Sequence, residues 1–401
     1  MTTITVVDWP ARARRLAEKL VADGDLHSLQ WKSAVCAVPR HEFVPHYYRH
    51  DTSTRPATWQ RVVPSDPSEV QAWLDLVYSD TTLITAVASY VERGVQIPVS
   101  SSSKPDLMVR MLEELDVTDG DRVLEIGTGT GYNAALLCHR LGSRNVFSVD
   151  VDPALMATAR PRLARLGYHP TLAAVDGAAG LAEHAPYDRI IATCSVPAIP
   201  PAWIEQLTPG GRILADVEGP LGAGNLVMLH KPSAVPVLKG RFLPWWGRFM
   251  RLRPQAGPTV GAPRPRRAPG EPQSATTAVD PAELDTEFRF LAQLFLPGGT
   301  VQSLTPSPDF TRPIATCLVT PDGSWCEVDR DPGPDGSYQL VFGGPEPLWD
   351  EVHTAWQQWT RYGCPAWSQF GLTATPEHHT IWLSDPADGP SWPLPIPGCG
   401  N

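Results

Sequence analysis

The stretch VLEIGTGTGYNAALL, Val123 to Leu137, constrains this chain more than any other. An apolar run ends in Glu125, glycines follow at Gly127, Gly129 and Gly131, and a helical pattern begins at once. A strand that gives way to a helix through closely spaced glycines lets the backbone approach a ligand that a Cβ would block. A second apolar run, Asn145 to Val149, ends in Asp150, some 19 residues past the last glycine. An acidic side chain there suits the two hydroxyls of a ribose. The pattern predicts an adenosine-containing cofactor.

The glycines alone leave the cofactor open. From Gly129 the segment also fits G-x-G-x-x-A, with Ala134 last, the form of a dinucleotide site. A bare strand-to-helix turn is the alternative without a ligand. Two features favour S-adenosylmethionine. Glu125, just before the glycines, would repel a pyrophosphate but not a cationic sulfonium. Downstream, Asp176-Gly177 follow a third apolar run (Thr171 to Val175), Pro186 to Cys194 give a fourth, and Pro209-Gly210-Gly211 lead into a fifth, Arg212 to Val217. That succession predicts an α/β fold: a doubly wound, Rossmann-like sheet of the class I methyltransferase kind, with the cofactor across the carboxyl ends of its strands.

Composition bounds the remainder. At 401 residues the chain can hold two or three domains. A formal net charge of −10 argues against nucleic-acid binding by bulk electrostatics. Seven cysteines are scattered without CxxC pairs or histidine spacing, so neither a metal site nor a disulfide framework is indicated. No apolar run approaches the ~20 residues of a membrane span and the amino terminus lacks a signal-peptide pattern, so a cytoplasmic protein is the default expectation.

Four regions are expected. Residues 1–98 read as a mainly helical extension on the substrate side, with helices over Ala11 to Gly24 and Leu26 to Val38. VPRHEFVPHYY, Val38 to Tyr48, reads as a proline-bounded loop packing Phe43 and Val44 on the core, and Leu76 to Thr85 as one or two strands with Asp80 at a turn. Residues 99–250 carry the methyltransferase motifs; in VSSSSKPDLMVRMLEEL, Ser103 is the expected N-cap and Pro105 sits near the first helical position. Residues 251–285 are proline-rich and read as a linker. Residues 286–401 are tryptophan-rich and predict a smaller α+β domain, an amphipathic helix (Asp350 to Gly363) on a small antiparallel sheet, with most tryptophans in its core.

The order and spacing of Val38 to Pro45, Tyr78 to Leu83, Ser101-Ser102-Ser103-Lys104-Pro105, the glycine loop and GAAGLAEHAPYDRIIATCSVPAIPPAWIEQLTPGGRIL resemble protein-L-isoaspartate O-methyltransferases, over about Trp9 to Lys231. The resemblance implies S-adenosylmethionine as donor and a peptide carboxylate as acceptor. It also implies Ser103 as a catalytic residue; Ser102 beside it is expected to share that role, with Ser101, Tyr78 and Asp80 on the substrate side. The cofactor would be held by Glu125, Gly127, Thr128, Gly129, Tyr132, Asn133, Asp150, Val151, Asp176 and Gly177.

Three departures all fall on the substrate side. Ser-Ser-Ser replaces the family's Thr-Ile-Ser, Asp106 and Leu107 stand where histidines often follow the proline, and about 170 residues follow Lys231. In these the chain more closely resembles the subgroup associated with ATP-grasp peptide maturases (graspetide systems). There the substrate is a crosslinked, ribosomally made peptide (a RiPP) and methylation leads to an aspartimide. The alternatives are a general isoaspartyl repair enzyme with an extra domain, and a non-catalytic peptide-binding partner.

Overall fold

The computed structural model describes residues 8–53, 57–90, 95–255, 265–309 and 311–395. The middle of the expected linker, residues 256–264, lies outside the described residues, as do the first seven residues, on which the signal-peptide expectation rested.

The chain opens with helices Trp9–Ala22 and Leu29–Ala37, whose apolar faces (Leu16, Leu20, Trp31, Val35) are buried in one cluster. The first is capped by Asp8 and carries Pro10 in its first turn; the second is capped by Ser28. This region is less helical than its sequence suggests. An antiparallel sheet follows, of β1 (Tyr47–Asp51), β2 (Thr58–Val62), β3 (Leu83–Tyr90) and β4 (Val95–Ser102), in the order β2-β1-β3-β4. Leu76 and Val77 end a helix, Pro67–Val77, rather than begin a strand, because Asp66 caps that helix and Pro67 occupies its first position. The run of serines closes β4 and leads straight into helix Pro105–Glu114.

The central sheet begins with β5 (Val123–Ile126), β6 (Val146–Asp150), β7 (Thr171–Ala174), β8 (Tyr187–Val196) and β9 (Leu207–Glu218), all mutually parallel. The chain winds outward from β5 to β6 and β7, then returns to place β8 on the other side of β5. That reversal opens a crevice beyond the carboxyl ends of β5 and β8. Two antiparallel strands, β10 (Gly224–His230) and β11 (Leu238–Trp246), extend the sheet past β9. β5 and β6 are buried throughout, as strands covered on both faces are, and Glu125, Ser148 and Asp150 interrupt their apolar runs.

The carboxy-terminal part divides where the sequence suggests one unit. Strands β12 (Gln273–Thr277), β13 (Val301–Pro306), β14 (Pro313–Val319), β15 (Trp325–Asp329) and β16 (Tyr338–Gly343) form a separate antiparallel sheet. Helix Leu348–Arg361 packs on it through Leu348, Trp349 and Val352. β12 lies inside the segment expected as linker, where its Ser-Ala-Thr-Thr composition gave no apolar alternation to read. The last strands, β17 (Phe370–Ala374), β18 (His379–Leu383) and β19 (Ser391–Leu394), leave that sheet and continue the central one, β17 pairing with β11. Trp349, Trp367, Trp382 and Trp392 are buried.

Candidate active site

A cavity of about 640 Å³ opens at the carboxyl ends of β5, β6 and β8, a volume ordinary for a small-molecule site. Its floor is the glycine loop. Gly127, Gly129 and Gly131 all have positive φ, and a Cβ at Gly127 would lie 2.7 Å from Thr193 Oγ1. The loop is held from behind. The N–H groups of Gly127 and Thr128 donate to the Val149 carbonyl at 2.8 and 3.1 Å, and the Thr193 hydroxyl donates to the carbonyls of Ile126 and Gly127.

Of the residues expected to hold a cofactor, Gly127, Thr128, Gly129, Tyr132, Asn133, Asp150, Val151 and Gly177 line this cavity. Asp150 closes β6 with one carboxylate oxygen accepting from Gly129 N–H (2.9 Å) and the other from Asp152 N–H (3.0 Å). Burial pushes its carboxyl above the usual range, with those two N–H groups opposing. Two backbone donors leave half of a carboxylate's acceptor sites open. Asn133 Oδ1 is buried without a partner among the described residues, and such an orphaned acceptor suits a ligand donor.

Glu125 and Asp176 stand apart from the wall. Glu125 is fully buried behind the loop, where its carboxylate accepts from Asn133 Nδ2 (2.8 Å) and the Ser148 hydroxyl. Burial pushes its carboxyl up to about 7. Through these bonds it holds Asn133 and Ser148 in place behind the cavity wall. Asp176 caps the turn Gly177–Ala179 through Ala178 N–H, leaving Gly177 to face the cavity.

The serine strand forms the next wall. Ser100, Ser101, Ser102 and Ser103 all line the cavity, but their hydroxyls differ. Ser102 Oγ accepts from the Arg40 guanidinium at 3.2 and 3.3 Å, whereas the Ser103 hydroxyl makes no hydrogen bond among the described residues. Ser103 is not the N-cap. Lys104 stands at the cap position, and the capping acceptor is Asp80, reached from Asp106 N–H at 2.9 Å. The next donor, Leu107 N–H, is taken by the Asp106 carboxylate, and Lys104 bridges Asp80 and Asp106. This helix start is therefore filled by the protein's own acids and does not offer its N–H groups to a substrate anion. Asp80 and Tyr78 support the site from outside the wall; the Tyr78 hydroxyl bonds His41 Nδ1 at 2.8 Å.

Two features escaped the sequence reading. Arg40 is wholly buried and donates to the carbonyls of Val77, Ser79, Thr81, Ser102 and Ser103 as well as to Ser102 Oγ. Its one available signal was a lone cation between Pro39 and Phe43. The second is the segment Pro244 to Arg253, leaving β11, which completes the cavity wall with aromatic and basic side chains. The sequence LPWWGRFMRLR carries that signal, at the border of the expected linker.

Among the described residues no helix is long and apolar enough to cross a membrane, and no group of three or more potential ligands could hold a metal ion.

A parallel sheet reversing at β5, with a glycine loop after β5 and an acid closing β6, defines a class I S-adenosylmethionine-dependent methyltransferase. A solved structure named protein-L-isoaspartate O-methyltransferase shares this fold, with a TM-score of 0.52 at 23% identity, over 90% of this chain and 96% of that one. The family model described as Protein-L-isoaspartate(D-aspartate) O-methyltransferase matches residues 75–235. Protein-L-isoaspartate O-methyltransferase 2 of Archaeoglobus fulgidus is 32% identical over 255 residues, covering 63% of this chain and 97% of the relative. The Protein-L-isoaspartate O-methyltransferase of Hyperthermus butylicus is 31% identical, covering 60% and 92%. The chain belongs to the protein-L-isoaspartate O-methyltransferase family, enzymes that use S-adenosylmethionine to methylate carboxyl groups. The dinucleotide reading is thereby set aside.

Proposed function

We propose that this enzyme methylates the side-chain carboxylate of an isoaspartyl or aspartyl residue in a peptide. The observation that carries this reading is one cavity holding both the glycine loop with Asp150 and the uncommitted hydroxyl of Ser103. Asp150 receives the ribose hydroxyls, Asn133 Oδ1 accepts a donor from the ligand, and Gly177, in the cavity wall, lies against the adenine. S-adenosylmethionine bound there supplies an electrophilic methyl group whose bonding electron pair remains on sulfur, which becomes a neutral thioether.

The acceptor carboxylate is ionised near neutral pH, its pKa being ~4, so no general base is needed. What the protein contributes is alignment, worth up to ~7–11 kcal/mol in favourable cases. Ser103 donates its hydroxyl to one carboxylate oxygen and leaves the other free to attack. Ser102, bonded to Arg40, fixes the end of the strand from which Ser103 emerges. Methylation turns the carboxylate into an ester, so a neighbouring amide nitrogen can attack its carbonyl carbon and expel methanol, which carries off the amide proton, to close a succinimide.

The repair of isoaspartyl peptides is the reading best supported, because the relatives carry that name. Maturation of a grasp-ligase-crosslinked peptide is the second reading, favoured by the Ser-Ser-Ser substitution and by the aromatic and basic wall of residues 244–253. Chain length does not separate the two, since a structure bearing the family name aligns over 90% of this chain.

Mass spectrometry on a linear isoaspartyl peptide, its aspartyl isomer and a crosslinked acidic peptide tests the assignment. Methylation of the isoaspartyl peptide supports repair, and of the crosslinked peptide alone, maturation. Methylation of none overturns both. Ser103→Ala should slow turnover about tenfold, ~1.4 kcal/mol, with cofactor affinity nearly constant. Unchanged turnover would remove Ser103 from the mechanism.

A further inference from the structure

The wall from Pro244 to Arg253 belongs to none of the glycine or serine motifs, yet it is fixed at several separate points. Asp216, wholly buried at the end of β9, accepts the Phe249 N–H at 3.1 Å. A Cβ at Gly247 would lie 2.3 Å from the Asp216 carboxyl carbon, so only glycine fits there without a shift. Ser195 N–H donates to the Met250 carbonyl (3.0 Å), and Leu252 N–H returns a bond to the Ser195 carbonyl (2.8 Å). Glu218 pairs with Arg251 at 3.0 Å. From the carboxy-terminal part, Trp367 donates its indole N–H to the Leu243 carbonyl at 2.8 Å and packs its ring 4.3 Å from that of Trp246. A segment held this way is a rigid surface.

Arg248 stands in the middle of it. Its φ is +52°, an uncommon backbone conformation for a residue with a long side chain, and one that persists only where the surroundings impose it. The side chain is exposed, and its guanidinium carbon lies 5.1 Å from the centre of the Trp246 ring. Other basic groups of the wall are committed. Lys104 bridges Asp80 and Asp106, Arg110 pairs with Asp25, Arg251 with Glu218, and Arg253 donates to the Val99 carbonyl. Among the described residues no carboxylate lies within ion-pair distance of Arg248, and its guanidinium already lies over the Trp246 ring.

We infer that Arg248 is a specificity-determining residue that pairs with a second carboxylate of the acceptor peptide, beside the one that is methylated. This rests on the carboxyl-methyltransfer reading above. The preferred substrate class is a peptide with a glutamate, aspartate or free carboxy-terminus close to the accepting residue. A guanidinium held over an aromatic ring is pre-organised to bind a carboxylate through two parallel N–H groups. The carboxy-terminal region thereby acquires a role: through Trp367 it positions the surface that selects the peptide, without touching the reacting atoms.

Steady-state methylation of two isoaspartyl peptides tests this, one with glutamate and one with glutamine next to the acceptor. Wild-type enzyme should favour the glutamate peptide in kcat/KM by about tenfold, equivalent to ~1.4 kcal/mol. Arg248→Gln should bring the ratio close to one by raising KM for the glutamate peptide, Arg248→Lys should retain part of it, and Trp367→Leu should reduce it while cofactor affinity holds. Equal wild-type rates on the two peptides would overturn the inference and leave carboxyl methylation standing. So would an Arg248→Gln enzyme that slows both peptides alike. Methylation of neither peptide would overturn the isoaspartyl-repair reading and this inference together, and methylation of a crosslinked acidic peptide in the same assay would leave carboxyl methyl transfer standing.

Discussion

The two sides of the cavity are built on different principles. The cofactor side is local: Val123 to Val151 supply the strand, glycine loop, helix start and acid, held by backbone bonds between adjacent strands. The substrate side is assembled from pieces far apart in the chain. Arg40 reaches helix-end, turn and strand residues from 77 to 103, Asp80 caps a helix 26 residues on, and Trp367 steadies the exit of β11 from a distance of 124 residues. A backbone-built site tolerates little change in sequence, whereas one built by long-range side-chain contacts can change its specificity while the sheet beneath it stays the same.

Arg40 offers the strongest attack on this contrast. Arg40→Met would strand several buried carbonyls and the Ser102 hydroxyl, and a single such loss costs ~1–3 kcal/mol. A destabilisation of about 3 kcal/mol or more should appear in urea unfolding, and Arg40→Lys should recover only a fraction because one ammonium cannot span the same fan of acceptors. A midpoint shift near zero would mean that the serine strand holds its shape unaided.

Gly127→Ala probes the opposite side. The new methyl would meet Thr193 Oγ1 at a backbone angle of +101°. The expected cost is ~1–3 kcal/mol, seen in calorimetry as cofactor binding weakened about tenfold or more. Wild-type affinity in this variant would show that the loop relaxes, and with it the claim of a rigid cofactor floor would fail.

The smallest effect concerns pH. Burial, with repulsion from Glu218, lifts the Asp216 carboxyl to about 7, although N–H groups of Phe249 and Arg248 pull it down. Its folded pKa exceeds its unfolded value, so its stabilising contribution is complete below pH ~4 and disappears as pH rises through about 7. Asp216→Asn should therefore flatten part of the fall in thermal midpoint across that window. Glu125, raised for the same reason, keeps the slope from vanishing. Parallel wild-type and variant profiles would rule Asp216 out.

Legibility in the sequence follows the same division. Strand, glycine, helix and acid recur at short spacing, so β5 to β9 and the cavity floor were readable from apolar runs and their stops. Ser103 looked like a helix cap because serine before Lys-Pro fits the local rule; Asp80 takes that task from a turn that no local rule connects to it. Arg40 sat in a run read only for its apolar neighbours Phe43 and Val44, both buried as expected. The division of the carboxy-terminal part was invisible because strand patterns show which residues pair, but not which sheet receives them.

β11 has a partner on both sides, β10 and β17. A chain trimmed to its catalytic half would expose a row of unpaired N–H and C=O groups along Leu238 to Arg241, the template on which sheets join edge to edge. The added strands thus also shield a sticky margin, and a shortened version meant as a minimal catalyst would be prone to self-association before its activity could be measured.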